Sequence, residues 1–234
     1  MAWVTPLCLV LGLLSGCSGI VYEMGSYSSL AKISKFQSDE VYKLEDISPN
    51  TISVSGIDIL VWLFNTRTIR EYNTSFIIPY RTWTPTKTGE YGMSNIGQQP
   101  FTIDIYLIAD GNHAAFHPFT TALYLKNDYK PIYPSKVFNS GASTRCGERI
   151  RGVVASMKTP VTRESVSLAN KFDLAESERK FKANWTCLEL VFNIATPDPS
   201  ERFRLEFGDI VTPDGTKIRP TIFFSPVTYK EYVH

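Results

Sequence analysis

The chain has 234 residues, 24 basic and 23 acidic side chains for a net charge of +1, and is 43% hydrophobic and 13% aromatic. A charge balance so close to neutral excludes the basic excess of a general nucleic-acid binder. The length supports one sizeable core without extra staples, and the aromatic content suits strands.

From Ala2 to Tyr22 no side chain is charged. The apolar run from Trp3 to Leu14 is shorter than the roughly 20 residues that a membrane-crossing helix needs. It fits the apolar region of a secretion signal. The run ends in Leu14-Ser15-Gly16-Cys17. This tetrapeptide resembles the lipobox of bacterial lipoproteins. The resemblance implies that residues 1–16 are a signal peptide, that a diacylglycerol joins the Cys17 sulfur, and that the new amino group is acylated. Ser18, where an Asp would retain such a protein at the inner membrane, implies an outer-membrane anchor facing the periplasm. The residues themselves also admit an ordinary secretion signal cut near Gly19 or an uncleaved anchor, because no Lys or Arg precedes the apolar run.

Residues 17–50 are mixed and mildly polar without a clear period. They are expected to form the lipidated terminus and a tether, with the later part docking as a first strand or a short helix. The β domain is expected over residues 51–234. Ile52 to Phe64 is apolar on both faces and reads as a central strand covered on both sides. Ser75 to Arg81 is a second apolar run. Thr84 to Pro100 is rich in Gly, Thr, Pro and Gln and lacks any period, and a loop of that length in a compact domain is uncommon unless it is functional or disordered. Phe101 to Ile108 alternates, with Phe101, Ile103, Ile105 and Leu107 facing inward, and Asp110-Gly111-Asn112 supplies a turn. The return runs through Phe119 to Leu125, and Pro131 and Pro134 mark an irregular edge.

Arg145 to Ser156 reads as a strand. Thr162 to Lys180 is the helical candidate, its second half favoured by Asp173 and Glu176 at capping-box spacing. Trp185 to Ile194 is a strand. Phe203, Leu205 and Phe207 then alternate with Arg202, Arg204 and Glu206, giving one buried and one wet face. Pro213-Asp214-Gly215 is a hairpin turn, and Pro220 makes the last strand an edge or a bulged one. The sum is a mainly β fold, an antiparallel two-sheet sandwich of immunoglobulin-like or jelly-roll-like type with one short helical excursion.

Cys8 would leave with the signal and Cys17 would carry lipid, which leaves Cys146 and Cys187. In an oxidising compartment an even pair reads as one disulfide; two buried thiols are the alternative. His113 and His117 have a His-x-x-x-His spacing, but the Gly-Asn turn before them and Pro118 after them speak against the helix that would aim both imidazoles at a metal. No G-x-S-x-G elbow and no phosphate-binding glycine loop follows Cys17. No metal, cofactor or catalytic residue is therefore assigned. Tyr80, Trp83 and Tyr91 flank the long loop as a possible ligand surface. The reading is an envelope module that binds another envelope protein or a glycan, with an envelope hydrolase as the alternative.

Overall fold

The computed structural model describes residues 18–32, 40–47, 50–75, 78–82, 95–110, 114–126, 129–139, 158–171 and 185–233. In chain order the strands are Ser18–Ser29 (β1), Val41–Lys43 (β2), Ile52–Val54 (β3), Ile57–Leu63 (β4), Arg67–Ser75 (β5), Ile78–Thr82 (β6), Phe101–Ala109 (β7), Ala115–Phe116 (β8) and Ala122–Leu125 (β9). They continue with Lys136–Asn139 (β10), Thr159–Pro160 (β11), Val166–Ser167 (β12), Ala169–Asn170 (β13), Thr186–Phe192 (β14), Phe203–Glu206 (β15), Ile210–Val211 (β16), Lys217–Ile218 (β17) and Thr221–Val233 (β18). Leu44–Ile47 is a short helix, α1, and Pro118–Thr120 is a 3-10 turn.

Two sheets form the body. The first has the order β6-β5-β1-β18-β15-β9, with β2 added in parallel to β18. The second has the order β11-β10-β14-β7-β4-β3, with β13 parallel to β7. The expected mainly β, two-sheet architecture is what the chain forms. Alternation explains it: Phe101, Ile103, Ile105 and Leu107 on β7 and Leu188, Leu190 and Phe192 on β14 face the other sheet, which contributes Leu123, Phe203, Leu205, Ile222 and Phe224 to the same core. Phe101 meets Phe203 edge-on at 6.2 Å, and Phe203 stacks on Phe224 at 4.6 Å. A small third sheet, β12-β8-β16-β17, adds Phe116 and Ile210 to this core.

Several local readings change. Ser18–Ser29, expected as tether, is an interior strand paired on one side with β18 and on the other with β5. Its alternation of Val21, Glu23, Gly25 and Tyr27 as buried positions is interrupted by polar residues, which hid the period. Ile52 to Phe64 is a hairpin rather than one strand. Ser55 and Gly56 both take positive φ, 48° and 77°, and join β3 to β4 as a two-residue turn.

The helix expected from Thr162 is absent over its first half, where β12 and β13 form instead; Asp173 and Glu176 lie outside the described residues. The one α-helix among the described residues is α1. Pro220 precedes β18 and does not make it an edge: β18 is flanked by β1 and by β15, and the Pro220 carbonyl accepts from Phe207 N–H at 2.9 Å. Pro226 falls between the stretch of β18 paired with β15 and the stretch paired with β2, where its missing N–H removes no ladder bond on that side. The strand expected from Arg145 to Ser156 lies outside the described residues.

Candidate functional site

Helix α1 covers part of the outer face of the first sheet. Leu44 and Ile47, with Tyr42 of β2, pack on Tyr27, Val227 and Tyr229. Between α1 and the passage of the chain from β4 to β5 lies a cleft of about 120 Å³. Tyr27, Leu44, Ile47, Trp62, Val227 and Tyr229 supply its apolar walls, and Asn50 and Thr66 add polar atoms. Trp62 is 42% exposed, an unusual state for an indole on a strand next to the core.

The wall formed by Tyr229 is fixed by a buried polar pair. Gly25 has no side chain, and a Cβ there would stand 3.2 Å from Tyr229 Cε1, so the ring lies over the glycine. The Tyr229 hydroxyl donates to Glu23 Oε2 at 2.8 Å. Burial pushes the Glu23 carboxyl above its ordinary range, with the Tyr229 and Thr68 bonds opposing and Glu231 adding to the rise. Burial, then the adjacent Glu23 charge, pushes the Tyr229 hydroxyl far up, so it stays a donor at any physiological pH. The cleft is below the roughly 300–1,000 Å³ of drug-sized ligand sites. Its volume and walls suit one apolar side chain of a partner.

A second cluster joins the β3–β4 hairpin to the end of β7. Lys171 Nζ lies 2.9 Å from Asp58 Oδ2 and 3.0 Å from Asp110 Oδ1, and Ser53 Oγ donates to Asp58 Oδ1 at 2.6 Å. Burial works against the Lys171 charge, but the two carboxylates outweigh it and hold its pKa above the ordinary value. Both carboxylates are engaged by this cation, so the network clamps two strand ends. A third cluster lies on the wet face of β9 and β15. The Arg204 guanidinium stands 4.0 Å from the Tyr124 ring centroid and 3.3 Å from Glu206 Oε1. Tyr133 and Tyr129 are 54% and 86% exposed nearby in sequence.

Of the expected surface of Tyr80, Trp83 and Tyr91, only Tyr80 falls among the described residues. Tyr80 lies on β6 opposite Asn73, and Trp83 and Tyr91 fall outside the described residues, as do Cys17, Cys146 and His113. The His117 carbonyl accepts from Thr120 Oγ1 at 2.9 Å. Cys187 is buried on the outer face of the second sheet opposite Tyr106, in a cluster with Leu60, Ile108 and Trp185. Its sulfur is 3.2 Å from the Trp185 carbonyl oxygen.

Sequence reasoning missed Glu23 and Tyr229, since no local pattern links residues 206 positions apart. The alternation of Arg204 and Glu206 with apolar neighbours did mark the wet face that carries the Tyr124 cluster. Among the described residues no group of three His, Cys, Asp or Glu is placed to hold a metal ion, and no helix is long and apolar enough to cross a membrane. Compared with protein-family models, curated proteins and solved structures, the chain matches none.

Proposed function

We propose that this chain is a lipid-anchored cell-envelope protein, held in the outer membrane through Cys17 and facing the periplasm, whose β-sandwich recognises another envelope protein at the α1 cleft. The observation that carries the binding reading is the apolar cleft of about 120 Å³ with the exposed Trp62 in its wall and a hydrogen-bonded Glu23–Tyr229 pair behind it. A rigid aromatic wall beside a pocket of side-chain size is the form taken by the anchors of protein interfaces. Binding of a glycan is the second reading, favoured by Tyr124 under Arg204 beside the exposed Tyr133.

One experiment separates these. Labelled palmitate is fed to cells making the wild type, Cys17→Ala, Trp62→Arg or Tyr124→Ala, and crosslinked proteins and bound glycans are recovered on the purified chain from whole-cell extracts. Label in all but Cys17→Ala, with one crosslinked protein lost only from Trp62→Arg, is the expected result. Equal labelling of Cys17→Ala ends the anchor reading. Loss of glycan binding in Tyr124→Ala alone moves the site to the wet face of β9 and β15.

A further inference from the structure

We propose that β1 and β18 are mounted directly on the bilayer, with Ile20, Tyr22, Lys230 and Tyr232 at headgroup depth. This rests on the lipid-anchor reading above. Ser18 is already paired with Thr74, and Gly19 with both Asn73 and Val233. Cys17 is the residue before Ser18, and a strand advances only about 3.3 Å per residue. Acyl chains on Cys17 therefore leave no slack between the lipid and the sheet. The ends of β1, β5 and β18 reach the membrane surface together.

The side chains at that end suit the interface. The register pairs Ile20 with Tyr232 and Tyr22 with Lys230, so all four share one face. Tyr232 is 54% exposed, and Lys230 Nζ lies 6.0 Å from its ring centroid. A tyrosine has an apolar body and a polar tip, and a lysine stem lets its ammonium reach the phosphates; both favour the headgroup layer. Glu231, exposed on the opposite face, is the group an anionic surface repels. Its placement fixes which face of the ribbon leans on the lipid.

The test uses full-length protein purified with its lipid and returned to vesicles of phosphatidylethanolamine and phosphatidylglycerol. The photoreactive residue p-benzoylphenylalanine replaces Tyr232 in one variant and Leu30 in another. Both positions are exposed, at 54% and 46%, and the ladder separates them by roughly 33 Å. Lipid adducts should form severalfold more at position 232 than at position 30. A Gly/Ser insert of about ten residues between Cys17 and Ser18, which spans roughly 17 Å as a coil, should lower the adduct at 232 to the level seen at 30. Equal yields at the two positions, or a yield at 232 that the insert leaves unchanged, overturn the mounting. Intact mass reads acylation separately, so an unacylated protein refutes the anchor itself, and an acylated one with equal yields refutes the mounting alone.

Discussion

Tyr229 and Glu23, 206 residues apart in the chain, meet across neighbouring strands through a 2.8 Å hydrogen bond. The folded state raises the Glu23 pKa, chiefly by burial, so between the ordinary value of 4.5 and the folded value the native protein binds more protons than the unfolded one. Stability should therefore fall as pH rises through that window and level off above it. Glu23→Gln keeps an acceptor for the tyrosine and removes the charge. Urea titrations should show it more stable than the wild type at pH 7 and no more stable at pH 4. Tyr229→Phe leaves the carboxylate short of a donor and should cost about 1–3 kcal/mol at pH 7.

Gly208 is fixed by a close approach. A Cβ there would overlap the His117 carbonyl oxygen, while Gly208 N–H donates to Thr121 Oγ1 at 3.0 Å. His117 N–H in turn donates to the Asp209 carbonyl at 2.9 Å, so neither backbone can retreat without breaking bonds. Gly208→Ala should destabilise by about 3 kcal/mol or more. Gly215→Ala, where φ is +83° in an open turn with nothing near the added carbon, should cost only about 1 kcal/mol. Thermal melts of the two variants, read side by side, check the difference.

Cys187 sits in a buried cluster with Trp185, Leu60, Tyr106 and Ile108. We expect it to be bridged to Cys146. Closing a loop of about 40 residues should contribute about 3–4 kcal/mol, and reduction should lower the urea midpoint accordingly. Peptide mapping without reductant checks the pairing, and recovery of two alkylated thiols from the folded protein would show that no bridge exists.

What the sequence made readable follows from locality. On β7 and β14 every second residue enters the main core, and Phe101, Ile103, Leu188 and Phe192 could be assigned without a partner in view. The Pro213-Asp214-Gly215 turn was legible because its chemistry is local: Asp214 Oδ1 accepts from Thr216 N–H at 3.1 Å. β1 was not legible. Its buried positions include Glu23 and Gly25, whose burial depends on Tyr229 more than two hundred residues away. Over the first half of the helix expected from Thr162, pairing with the β-sheet partners Phe116 and Ile108 gives strands instead; the favoured second half, with Asp173 and Glu176, lies outside the described residues. The cleft was not legible either, because its walls come from β1, α1, β4 and β18 at once.

The pairing of β1 with β18 runs through eleven register positions, from Gly19↔Val233 to Ser29↔Phe223. Until both have left the ribosome, the first sheet lacks its two middle strands, and nothing joins β5 to β15. Loop closure over such a separation makes folding slow. The unfinished polypeptide thus cannot close its first sheet, and the body forms only once β18 has emerged to fill the gap beside β1.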